Sequence, residues 1–118
     1  MTPQRDASCI FCKIIGGEVQ AREVFRDNEI VAIEDANPQA PTHVLVLPQE
    51  HVANASSFSN RASAESIARL FSKAAEIGRE RGPNGYRIVI NEGGEGGQTV
   101  DHLHLHVLAG RHMRWPPG

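Results

Sequence analysis

Residues 101–107 read Asp-His-Leu-His-Leu-His-Val, so three of the chain's six histidines alternate with apolar residues within five positions. Successive side chains of a β-strand point to opposite faces. A strand here sends His102, His104 and His106 one way and Leu103, Leu105 and Val107 the other. In a helix each step turns by about 100°, and the imidazoles would share no face. The alternation therefore predicts a strand with one core face and one face of imidazoles. A plain polar face is more simply built from Lys, Thr or Glu, whereas a neutral imidazole can be nucleophile, proton carrier or metal ligand near neutral pH. The row is read as functional.

The remaining elements are punctuated by turns. Ile10 to Ile15 is a short apolar run that stops at Gly16-Gly17 and predicts one or two helical turns. Strands are expected at about residues 23–26 and 30–34, joined by Asp27-Asn28, and at 43–47, closed by Pro48. From Ser63 onward Ile67, Leu70, Phe71, Ala74 and Ile77 follow helical spacing, with Glu65 near the start and Arg79 and Arg81 near the end. Gly82-Pro83 stops that helix. Residues 86–90 read as a fourth strand, 91–98 as a glycine-rich hairpin turn and 100–109 as the fifth strand. A hairpin-linked sheet with one long helix over its apolar face is an α+β fold.

A chain of 118 residues, 40% of them hydrophobic, fits a single domain over residues 1–118. Its 12 basic and 14 acidic residues are interspersed and give a net charge of −2. That balance excludes a nucleic-acid stripe and a polybasic membrane patch, and it points to a partner met at a pocket. Residues 1–8 carry no apolar signal core and are expected to be flexible. Nothing approaches the roughly 20 apolar residues of a membrane span, so a cytoplasmic setting is expected.

Both cysteines lie in Cys9-Ile10-Phe11-Cys12. The spacing is that of a zinc half-site, which needs two further ligands, and with no other cysteines these must be histidines. Outward neighbours on a strand are about 6 to 7 Å apart, so His102 and His104 could share an ion while His102 and His106 could not. The choice among His43, His51 and the row stays open, as does a free thiol pair or a disulfide. Four glycines among residues 93–97 suit either a flexible hairpin tip or backbone N–H groups aimed at an anion. Asp35 follows an apolar strand and could cap the turn at Asn37-Pro38 or meet a ligand hydroxyl.

The run His102-Leu103-His104-Leu105-His106-Val107-Leu108 resembles the histidine triad family of nucleotide hydrolases and transferases. So, in order, do "CIFCKII", "NPQAPTHVLVLP", "YRIVINEGGEGGQTV" and "GRHMRWPPG", and together they resemble the Hint-like nucleoside phosphoramidase branch. The resemblance implies a five-stranded antiparallel sheet with one long and one short helix, in a homodimer whose sheets join into ten strands. It implies cleavage of the P–N bond of purine nucleoside 5′-phosphoramidates, adenosine type preferred, through a nucleotidyl-histidine and without a catalytic metal. His104 would attack phosphorus and His106 would bond the phosphate and serve the departing amine. His43 would help fix the tautomer of the nucleophile. Asn91, the N–H groups of Gly97 and Val100, and the Thr99 hydroxyl would hold the phosphate. Asp35 would take the ribose hydroxyls, with Ile10, Phe11, Ile14 and Ile33 as an apolar slot for the base. Many relatives carry an aromatic at the position of Ile33 and serine at that of Thr99, so weaker base stacking is implied. The cysteine pair resembles a zinc-bearing subset whose ligands match Cys9, Cys12, His51 and His102, one structural zinc per chain. The tail, residues 111–118 with Trp115, would cross the dimer interface. A non-catalytic nucleotide-binding or adaptor protein on the same fold is the competing reading.

Overall fold

The computed structural model describes residues 5–118, and the first four positions of the segment expected to be flexible lie outside the described residues. Five strands form one antiparallel sheet: β1 (Glu23–Arg26), β2 (Ile30–Glu34), β3 (Thr42–Pro48), β4 (Tyr86–Ile90) and β5 (Leu105–Ala109), in the order β1-β2-β3-β5-β4. Strands β2 and β3 are apolar along nearly their whole length and buried on both faces. A strand of that kind needs cover on each side.

The alternation sorts the cover. Ile30, Ala32, Val44, Val46, Leu105 and Val107 face one cluster, completed by Leu70, Ala74 and Ile77 of α3 (Ala64–Arg81). Val31, Ile33, Leu45 and Leu47 face a second cluster with Cys9, Phe11, Cys12 and Ile15 from α1 (Ile10–Ile15) and its N-cap. The long helix begins at Ser63, whose hydroxyl accepts the Ser66 N–H, and ends at Gly82. Within it Gly78 has no room for a Cβ, which would meet the Tyr86 ring at 2.4 Å, so α3 lies directly on β4.

Three expectations change. A helix not expected from the sequence, α2 (Ala55–Arg61), follows β3, so the sheet carries three helices rather than two. It buries no residue fully and so shows no apolar stripe; Asn54 starts it by accepting the Ser57 N–H. The last strand begins at Leu105 and not at residue 100, which leaves His102 in a bend and His104 just ahead of the ladder. Residues 5–8 are tied down: Arg5 donates to Gln49, and the Asp6 carboxylate accepts from the N–H and hydroxyl of Ser8. Asp27 closes the β1–β2 turn as expected, accepting the N–H groups of Glu29 and Ile30. Among the described residues no helix is long and apolar enough to cross a membrane.

Candidate active site

The imidazole face is not an open row. Segment 9–15 covers it, and the histidines sort into two sites. His102, 0% exposed, turns toward α1, where its ligand atom lies with those of Cys9, Cys12 and His51 inside 4.8 Å. The S···N separations are 3.5 Å for Cys9–His102, 3.3 Å for Cys12–His51 and 3.6 Å for Cys12–His102. Zinc bonds of about 2.3 Å to sulfur and 2.0 to 2.1 Å to nitrogen put the S···N edge of a tetrahedron at about 3.6 Å. The donor set therefore fits a closed Cys₂His₂ site. Its surroundings fit too. His102 Nε2–H donates to the Pro48 carbonyl at 2.9 Å, which leaves Nδ1 with its lone pair facing the thiols. The Asp6 N–H donates to Cys12 Sγ and the Cys12 N–H to Cys9 Sγ. Both cysteines are free and buried.

The second site is an open cleft of about 840 Å³ beside His104 and His106. Of the residues expected at a nucleotide site, Ile10, Phe11, Ile14 and Ile33 line its apolar side. Asp35, His43, Thr99 and Val100 line it as well. Asn91 and Gly97 are not among its lining residues. Residues 19–22, on the loop before β1, also line the cleft, and nothing in their composition marked them.

Obligate donors settle where the protons sit. The Gln39 N–H points at His43 Nδ1 at 3.0 Å, so that nitrogen is the acceptor and the ring proton is on Nε2. His43 Nε2–H then donates to His106 Nδ1 at 2.9 Å. That puts the His106 proton on Nε2, a buried atom with no partner among the described residues. His104 Nδ1–H donates to the His102 carbonyl at 2.7 Å, leaving the His104 Nε2 lone pair free. The contact made by His43 differs from expectation: it meets His106, and the tautomer of His104 is set by a backbone carbonyl two residues back. Phe11 stands edge-on to His104 at 5.0 Å between ring centroids.

Asp35 takes the capping role that the sequence offered. Its Oδ1 accepts the Asn37 N–H at 2.8 Å, a turn cap, while Oδ2 lies 3.4 Å from His43 Nε2 at the cleft wall. Asp35, His43 and His106 gather their donor atoms within 4.8 Å. Because Gln39 holds His43 Nε2 protonated, that nitrogen is a donor to His106 and not a ligand, so the three do not make a cation cage. Burial, reinforced by His104 and His43, pushes His106 down to about 4. Burial also lowers His43, against the opposing charge of Asp35. Burial pushes His102 down to about 4 as well.

Two residues that the sequence did not single out shape the glycine turn. Gln98 donates to the carbonyls of Ala53 and Val100 and accepts the Gly93 N–H. The Glu92 carboxylate binds the N–H and hydroxyl of Ser56 at the start of α2. The only cue for either was a large polar residue inside an otherwise small-residue stretch. Gly93 and Gly97 have φ of +75° and +86°, which other residues rarely adopt.

Comparison with known proteins agrees with this arrangement. Residues 16–113 match the HIT domain. Protein pkiA of Dictyostelium discoideum is 45% identical over 112 residues, covering 92% of this chain and 88% of that protein. A 14 kDa zinc-binding protein of Zea mays is 40% identical over 116 residues, 96% of this chain and 90% of that one. The crystal structure of a HIT family hydrolase from Legionella pneumophila Philadelphia 1 superposes with a TM-score of 0.88 at 44% identity, covering 94% of this chain and all of that one. Sequence, fold and the two histidine sites agree: the chain belongs to the histidine triad, or HIT, family.

Proposed function

We propose that the chain, as a single catalytic domain, is a nucleotide hydrolase that cleaves the P–N bond of purine nucleoside 5′-phosphoramidates, adenosine type preferred. The observation that carries this reading is the pairing of a bare nitrogen, His104 Nε2, with an unpartnered N–H, His106 Nε2, beside one cleft. A neutral imidazole is a nucleophile without a separate base, and its phosphoryl adduct is labile enough for water to release it. In this reading His104 Nε2 forms the bond to the α-phosphorus as the P–N bond breaks, and the departing nitrogen takes the P–N electron pair and the proton of His106 Nε2–H, which the attacking water returns to His106 in the second step. Water then attacks the nucleotidyl-histidine, and the sum is phosphoramidate plus water giving nucleoside monophosphate plus amine. Thr99 and the Val100 N–H are assigned to the phosphate and Asp35 to the ribose. Ile10, Phe11, Ile14 and Ile33 are assigned to the base. Asn91 and Gly97 keep the phosphate role expected of them only if the glycine turn moves toward the cleft when substrate binds.

Zinc is assigned to Cys9, Cys12, His51 and His102. There it would supply a cross-link between the N-terminal segment and the strand leading into β5, and no chemistry. A reducing, cytoplasmic setting suits two free thiol ligands. A homodimer joined along β4 is part of the same reading. Tyr86 and Ile90 on that edge strand, Phe71 on α3 and Trp115 in the tail, 84% exposed, are the large apolar side chains it would cover.

The test is turnover of adenosine and guanosine 5′-phosphoramidates, followed as release of the monophosphate across pH 4 to 8. Neutral His43 and His106 are the working forms, and both are held below the ordinary imidazole value of about 6.5. Protonation of His106 should therefore remove turnover only toward a pH of about 4. Unchanged turnover well below a pH of about 4 would contradict the role given to neutral His106. No release of monophosphate from either substrate would leave the binding-module reading standing.

A further inference from the structure

The relay that orients His106 starts outside the cleft. Gln39 lies in the turn between β2 and β3, flanked by Pro38 and by Pro41, neither of which has an N–H to give. Its own N–H is used on the His43 ring instead of a strand ladder, so no sheet bond fixes this residue. One brace is local, the Gln39 side-chain amide donating to the Asn37 carbonyl at 3.0 Å, and the other comes from the far end of the chain. Arg111 Nε donates to the Gln39 carbonyl at 3.0 Å, across 72 residues, while Arg111 Nη1 holds the His112 carbonyl. The preceding Gly110, at φ +95°, lets the exit of β5 lie against Pro41, where an added Cβ would stand 2.8 Å from the proline Cβ. Gln39 is thus held on both sides, by His43 at its N–H and by Arg111 at its carbonyl.

We propose that Arg111 is a positioning residue, which through Gln39 locks His43 and His106 in the tautomers that leave His106 Nε2–H free to meet substrate. Without that brace the Gln39 N–H swings off His43 Nδ1, His43 becomes free to carry its proton there, and its Nε2 then competes as an acceptor for the proton of His106. The donor facing the cleft is lost in that fraction of molecules. Arg111 is exposed and is not among the residues that line the cleft, so its loss leaves ligand contacts and core in place.

The inference rests on reading the cleft as the phosphoramidate site, and its test separates the two. In ¹⁵N-labelled, ligand-free protein, two-bond ¹H–¹⁵N correlation reports which ring nitrogen of each histidine carries the proton. The wild type should show Nε2–H at His43 and His106. Arg111→Met, equal in reach but without a donor, should show a mixture at both rings and a kcat lower by about fivefold to tenfold, with KM within about twofold. Arg111→Gln has an amide N–H at the same bond count from Cα as Arg Nε, and it should restore both the spectrum and kcat. Unchanged tautomers in Arg111→Met would overturn the proposal, as would an Arg111→Gln variant that behaves like Arg111→Met, since charge and not the hydrogen bond would then be responsible. A wild type that turns over no phosphoramidate overturns the functional reading alone, because the spectra are read without substrate.

Discussion

Replacing His104 by alanine should lower phosphoramidate turnover by about ten-thousandfold or more, because no other residue at the cleft has a bare nitrogen to form the bond to phosphorus. His43 Nδ1 is occupied by the Gln39 N–H and His106 Nδ1 by the His43 ring, so neither can substitute. The nucleotide contacts assigned to Asp35 and Thr99 and to the apolar slot are untouched by the change. Affinity for the nucleoside monophosphate, read by calorimetry, should therefore stay within about threefold. Stability should fall modestly, since the ring packs edge-on against Phe11 and donates to the His102 carbonyl. Rapid quenching of the wild type during turnover should trap a mass increase of one nucleoside monophosphate that the variant never shows. Near-normal turnover in His104→Ala would end the covalent mechanism.

The second large effect lies at the cysteine and histidine cluster. Cys12→Ser should abolish stoichiometric zinc, about one per chain in protein purified without chelator, and lower stability by about 3 kcal/mol. In a domain of this size that corresponds to a fall in melting temperature on the order of 10 °C. The reason is topological. Cys9 and Cys12 belong to the N-terminal segment, His51 follows β3 and His102 precedes β5, so a shared ion ties three stretches of chain that packing and a few hydrogen bonds otherwise join. Loss of that tie should loosen α1, which carries Ile10, Phe11 and Ile14 into the cleft wall. KM for the nucleotide substrate should rise more than kcat falls. Metal-free wild-type protein with the same melting temperature as the zinc-loaded protein would return the cluster to a packing role.

Local periodicity carried most of the fold into view. Short apolar runs bounded by turn residues at 30–34 and 43–47 and helical spacing from Ile67 to Ile77 are properties of neighbouring residues, and the strands and long helix formed where those patterns run. Helix α2 escaped because it buries no residue fully, and its start rests on a single Asn54 cap. Extending β5 back to residue 100 was an error of the same origin, because His-Leu alternation continues whether or not a partner strand is beside it. Leu103 and Leu105 are buried on one side and His104 on the other, although only Leu105 lies in the ladder.

By itself the sequence determined which residue types are available and which share a face: one set of imidazoles, one thiol pair and one glycine turn, in an order that resembles a single family. Only the tertiary structure decided how the imidazoles divide. His102 went to the thiols and His106 to His43 because folding brings those partners from elsewhere in the chain, whereas His104 went to a backbone carbonyl two residues back. Periodicity specifies direction along a strand, but proton position depends on hydrogen bonds made across sequence separations of up to 90 residues or more. Those bonds exist only when the sheet, segment 9–15 and the turn at Gln39 are in place together.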